Sequence, residues 1–154
     1  MKIFILLLIL ALIIYIGLQI RAYYRKRERI LNDILSFCNI FENEVKFSKN
    51  AISKIVQDNL NKFDKELSDV LEAYFVHGTE KACKYLNKKE QEFLDKFMQS
   101  LGKADEEGEI RNLNNYRTEF LRIKEDGQQD CKKYGSFALK MSIVIGLLVV
   151  IVLI

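Results

Sequence analysis

Residues 3–20 read IFILLLILALIIYIGLQI, and residues 137–154 read FALKMSIVIGLLVVIVLI. The first run carries no formal charge, and the second carries one, Lys140. At 1.5 Å rise per residue, a helix over the first run is about 27 Å long, set against a hydrocarbon core of roughly 30 Å. The second run is shorter in its uncharged part, which starts at Met141. The Lys140 stem can lie in the apolar layer with its ammonium drawn out to the interface. The pattern predicts a membrane hairpin: a transmembrane anchor over residues 1–20, a polar domain over 21–136, and a second transmembrane helix over 137–154. Gln19-Ile20-Arg21-Ala22-Tyr23-Tyr24 offers no small-residue cleavage site, so the first run reads as an uncleaved anchor.

Basic residues next to the spans set the expected orientation. Arg21, Arg25, Lys26, Arg27 and Arg29 follow the first run, while Lys2 precedes it. Lys132, Lys133 and Lys140 lie at the start of the second. Positive charge collects on the cytoplasmic side of a span, so the middle domain is expected in the cytoplasm. The cluster from Arg21 to Arg29 suits anionic lipid headgroups, and Tyr23 and Tyr24 suit the interfacial layer. A solvated helix face is the plainer reading of the same charges.

All 21 acidic residues fall in the middle domain, beside most of the 24 basic ones, and the net charge is only +3. No basic stripe interleaved with aromatics extends beyond the juxtamembrane cluster, so nucleic acid is not an expected partner. Cys38, Cys83 and Cys131 are odd in number and scattered, which fits reduced thiols rather than a disulfide framework or a metal site.

The chain has no proline and only seven glycines. Ile30, Ile34, Phe37, Cys38, Phe41 and Val45 recur at helical steps, so residues 21–47 read as one amphipathic helix running on from the first span. Ser48 and Asn50 supply start signals for a helix holding Ile52, Ile55, Val56 and Leu60. Leu67, Val70, Leu71, Tyr74 and Phe75 form a third face, stopped by Gly78. Thr79 restarts a short helix with Ala82, Cys83 and Leu86. Asn87 and Glu90 form a capping box before the stripe Phe93, Leu94, Phe97, Met98 and Leu101. Gly102 is placed as a left-handed C-cap, and Asp105 as the N-cap of a last helix that weakens near Gly127. The expected fold is all-α, a cytoplasmic bundle of five or six helices between two terminal transmembrane helices.

Catalytic machinery is not expected. The chain lacks a phosphate-binding Gly-rich loop, G-x-S-x-G and H-E-x-x-H. His77, its single histidine, stands beside a predicted turn with no ligand spacing around it. No cofactor, metal or small-molecule substrate is implied.

Phe41-Glu42-Asn43-Glu44-Val45-Lys46-Phe47 resembles the L-E-x-E-I-x-Y stretch of the stage III sporulation protein AB family. Phe97-Met98-Gln99-Ser100-Leu101-Gly102-Lys103-Ala104-Asp105 resembles that family's F-x-x-x-L-G-x-x-D signature, and Gly146 to Ile154 resembles its glycine-led apolar tail. The chain departs from the family at Asn50-Ala51, where Thr-Pro is usual, at Glu109, usually glutamine, and near Ser142, usually glycine. The resemblance implies a two-pass membrane subunit of the complex joining mother cell and forespore, with its domain in the mother-cell cytosol. It implies a helical domain like the platform proteins of type II secretion and type IV pilus machines. The implied partners are a secretion-type sporulation ATPase and the other membrane subunits, and the implied task is scaffolding without chemistry.

On that resemblance Glu42, Glu44, Asp105 and Glu109 are candidate partner-binding residues. The plainer readings are an i,i+4 pair between Glu42 and Lys46, worth a few tenths of a kcal/mol, and a helix cap at Asp105. Ser142 and Gly146 form a small-x-x-x-small pair suited to close helix packing, against the first leg or against another subunit. Two other classes compete: a membrane-anchored helical sensor, which needs the domain outside and an output module, and a lipid-binding scaffold unrelated to secretion.

Overall fold

The computed structural model describes residues 2–47 and 51–153, and among them every regular element is helical. Helix α1 runs from Lys2–Phe47. It is followed by α2 (Ile52–Asn59) with a 3-10 turn at Leu60–Lys62, α3 (Lys65–Phe75), α4 (Lys88–Ser100) and α5 (Glu106–Asp130). A π-helical turn at Cys131–Gly135 leads into α6, Ser136–Leu153. The chain divides into two compact units, residues 29–125 and residues 1–28 with 126–154.

The first unit is a five-helix bundle, because five apolar faces meet in it. Ile30, Ile34, Phe37, Cys38 and Phe41 of α1 are buried at the predicted helical steps. Against them lie Val56 of α2, Leu67 and Leu71 of α3, Leu94 and Phe97 of α4, and Leu113 and Phe120 of α5. Phe37 contacts aromatic rings from three other segments, with centroids 6.0 Å from Phe63, 6.4 Å from Phe75 and 6.2 Å from Phe97. Such edge and tilted pairs add about 0.5–1.5 kcal/mol each beyond area burial.

Helix termini follow local chemistry. Asn87 Oδ1 accepts the Glu90 N–H at 2.9 Å and Glu90 Oε2 accepts the Asn87 N–H at 2.9 Å, the reciprocal box expected there. Gly78 and Gly102 have φ of 65° and 75°, the left-handed geometry that lets a chain leave a helix without Cβ strain. Asp64 caps α3 through the Glu66 N–H at 3.1 Å, a cap not foreseen from the sequence.

Two expectations about helix boundaries are revised. Residues 79–86 form no helix, because side chains elsewhere claim their backbone donors. The Cys83 N–H donates to Gln91 Oε1 at 2.9 Å, and the Lys84 N–H donates to Glu66 Oε1 at 3.0 Å. Cys83 and Leu86 are buried all the same, while Ala82 is exposed. Helix α5 continues through Gly127, and its irregularity comes later, as the π-helical turn at Cys131–Gly135. The start signals at Ser48 and Asn50 lie outside the described residues; α2 begins after Ala51, which makes no side-chain cap bond.

The second unit pairs the early part of α1 antiparallel to the end of α5, the π turn and α6. A Cβ on Gly146 would lie 2.5 Å from Leu10 Cδ1, and one on Gly17 would lie 2.5 Å from Ser142 Oγ. Further along, Gly135 faces Arg21 and Tyr24, and Tyr24 stacks on Tyr134 at 6.2 Å. Arg27 Nη1 donates to Asp130 Oδ2 at 2.9 Å, and Gln128 Nε2 donates to Glu28 Oε1 at 3.0 Å. From Leu7 onward α1 is long and apolar enough to cross a membrane, and it is the one such helix among the described residues. Only 6% of its apolar window is buried within the protein, so that surface does not serve as a core.

Candidate docking surface

Two of the three segments that carry the family resemblance reach one cavity in the bundle. Phe41 and Val45 come from the end of α1, and Gly102 and Ala104 from the turn after α4. Ile52 and Ile55 of α2 and Glu106 and Glu109 of α5 complete a lining around about 320 Å³. That volume is at the small end of ligand pockets, roughly 300–1,000 Å³.

The sequence holds this shape through the turn. Gly102 is left-handed, the conformation that favours glycine, and a Cβ there would lie 2.6 Å from Ile52 Cδ1, the movable end of that side chain. Its N–H donates to Glu109 Oε1 at 2.9 Å, which fastens the turn to α5. Asp105 caps α5, with Oδ1 accepting the Gly108 N–H at 3.3 Å and its carbonyl accepting the Glu109 N–H at 2.8 Å. Glu106, Glu107 and Glu109 place negative charge in the first turn, where the helix dipole favours it.

Of the four candidate partner-binding residues, Glu109 lines the cavity and Asp105 caps the helix that carries it. Glu109 is 3% exposed, and its Oε2 is buried without a hydrogen-bond partner among the described residues. Glu42 turns elsewhere. Its carboxylate takes Lys46 Nζ at 2.6 Å on one oxygen and Arg117 Nη2 on the other. These bonds, from Lys46 and then Arg117, hold the Glu42 carboxyl below its ordinary range. Glu42 thus ties α1 to α5. Glu44 is half-buried and, like Glu42, is absent from the lining. Arg117 was not legible as a partner of Glu42, since 75 residues separate them and no local pattern links the two.

The juxtamembrane cluster divides. Arg27 is buried and paired with Asp130, which takes it out of any headgroup-facing set. Arg25 and Arg29 are exposed, Arg21 and Lys26 are half-buried, and Arg29 lies 3.9 Å from Asp64. Ser142 and Gly146 both face α1, at Gly17 and Leu10. Ser142 Oγ donates to the Ala138 carbonyl at 2.8 Å, so its hydroxyl is satisfied within α6.

Thiol chemistry is muted in the bundle. Burial pushes the Cys38 thiol up to about 12 and raises Cys83 as well. No group of three or more His, Cys, Asp or Glu side chains among the described residues is placed to hold a metal ion.

A family model, stage III sporulation protein AB (spore_III_AB), matches residues 2–154. No curated protein and no solved structure matches the chain.

Proposed function

The chain belongs to the stage III sporulation protein AB family, and from that premise we propose that it is a non-catalytic membrane subunit of the mother cell–forespore channel complex. In this reading the bundle lies in the mother-cell cytosol and docks a secretion-type ATPase. The α1–α6 pair crosses the membrane as a hairpin and meets the other membrane subunits there. The observation that carries the docking reading is the convergence of residues 41–45 and 102–104, from two of the three resembling segments, on one cavity. The hairpin is supported by Leu7, Leu12 and Ile16 on α1 and Ile143, Leu147 and Ile151 on α6, all exposed apolar side chains that water would penalise. Arg25 and Arg29, with Arg21 and Lys26 beside them, then sit where anionic headgroups attract cations. Ser142 and Gly146 serve close packing of the two legs.

Binding of the full chain in lipid nanodiscs to the purified sporulation ATPase tests this. Ala104→Trp puts an indole at the cavity from an exposed turn position and leaves the core side chains in place. The expected result is binding by the natural chain and at least a tenfold loss, about 1.4 kcal/mol, in the variant. Equal affinities would remove the cavity from the proposal, and no binding by either would remove the ATPase.

A further inference from the structure

Gly17 marks the side of α1 that faces α6. At about 100° of turn per residue, Leu8, Leu12, Tyr15, Gln19 and Ala22 all fall within roughly 40° of the opposite side. All five are exposed, Tyr15 at 58%. Their steps of four, three, four and three residues are those of the seam of a left-handed helix pair. One side chain on that seam is an amide. Gln19 Nε2 donates to the Tyr15 hydroxyl oxygen at 2.7 Å, and Gln19 makes no other hydrogen bond among the described residues. That bond draws the amide toward Tyr15, one turn further into the apolar run and away from the charged end at Arg21. The Gln19 Oε1 and the second Nε2 proton are left over. Hydrocarbon holds no water to satisfy them, and polar side chains there find their partners on neighbouring helices.

We propose that this face of α1 binds the same face of a second copy of the chain within the membrane, through a reciprocal hydrogen-bonded pair of Gln19 amides. The inference rests on the hairpin reading above and adds what covers its outer surface. The hydrogen bonds select the occupant. What Gln19 leaves open is one acceptor and one donor, a set complementary to itself. Each copy gives its spare Nε2 proton to the other's Oε1 and keeps its first on Tyr15, so no amide group is left over. Two chains inserted the same way around and related by a twofold axis bring equal positions together at equal depth. A second copy therefore supplies both the amide and the matching 3.5-residue seam. A single polar side chain in such a seam also fixes its register, since a slipped pair would set the amide against Leu12 or Tyr15.

The full chain, reconstituted alone in phosphatidylcholine vesicles with donor and acceptor dyes on the half-buried Cys131, tests this by Förster transfer as lipid dilutes the protein. The expected result is transfer that falls on dilution along the curve of a dimer. Gln19→Leu keeps the helix and the apolar fit but removes the amide, and should weaken association by about three- to tenfold. In a Cys131→Ser background, oxidation should link two copies through Ala22→Cys, which lies on the seam. It should not link them through Ile20→Cys, which is exposed but about 60° from the side that faces α6. Equal association of the natural and Gln19→Leu chains, or equal crosslinking at positions 20 and 22, overturns the proposal. An alkaline wash of the same vesicles tests the premise separately. A chain that withstands the wash yet stays monomeric at every dilution overturns the pairing and leaves the hairpin standing. A chain stripped off by the wash overturns the hairpin, and the pairing with it.

Discussion

The Glu42–Arg117 tie makes a quantitative prediction. Replacing Arg117 with methionine keeps the aliphatic bulk and removes the guanidinium that joins α5 to α1. Hydrogen bonds to charged groups contribute about 1.5–3 kcal/mol. The two side chains are 24% and 17% exposed, so screening removes only part of this. The substitution also removes the Arg117 Nε, which is buried without a partner among the described residues, and that gain offsets some of the loss. The expected cost is therefore near the lower end, about 1.5 kcal/mol. For a unit of this size the melting temperature should fall by roughly 6–12 °C. Glu42→Gln should behave similarly, and the double variant should cost less than the sum. The pH dependence has a definite sign. The folded Glu42 carboxyl sits below its unfolded value of 4.5, so the folded state binds fewer protons near that pH. Its contribution is complete above pH 4.5 and is lost as pH falls through the lower folded value. The gap between the natural chain and Glu42→Gln should consequently close on acidification. Near-UV circular dichroism melts of the nanodisc-held chain from pH 7 down to pH 3 would measure it. A gap that stays constant, or additive single variants, would refute the tie.

Other perturbations separate further parts of the account. Cys38 is fully buried with its thiol pushed up to about 12, so iodoacetamide at pH 7.5 should modify the half-buried Cys131 and leave Cys38 intact until the bundle unfolds, as peptide mass spectrometry would report. Gly102→Ala should destabilise by about 1–3 kcal/mol, and Gly78→Ala by only about 1 kcal/mol. Both positions have positive φ, but only Gly102 meets a side chain, and paired thermal melts decide it. Gly17→Leu should separate α1 from α6, since a Cβ there already presses on Ser142. A Leu10→Cys/Gly146→Cys disulfide should form readily in the natural background and fail in that variant.

The helices were readable because the apolar steps at Ile30, Ile34, Phe37 and Phe41, or at Phe93, Phe97 and Leu101, repeat at the period the backbone imposes. Gly78, Gly102 and the Asn87–Glu90 box were readable because each acts within one turn. What failed was long-range. Residues 79–86 have a helical composition, yet Glu66 and Gln91 outbid the helix for their N–H groups. Arg27 looked like one more juxtamembrane cation until Asp130 was brought against it. At the cavity, Glu109 and Asp105 were flagged by their place near a family-like segment. The contribution of Phe41, Val45 and Ile52 follows only from the packing of α1 and α2 against the 101–105 turn. The Glu42–Lys46 pair was readable from its i,i+4 spacing, whereas the bond to Arg117 was not, because that partner is 75 residues away.

The central claim is that a cytosolic ATPase docks at this cavity, and a photocrosslink measures that directly. Benzoylphenylalanine at position 45, in the cavity wall, is compared with the same group at the exposed Lys84 outside it, in sporulating cells under ultraviolet light. The account predicts a covalent adduct between this chain and the sporulation ATPase from position 45 and none from position 84. No adduct from position 45, or equal adducts from both, would contradict it.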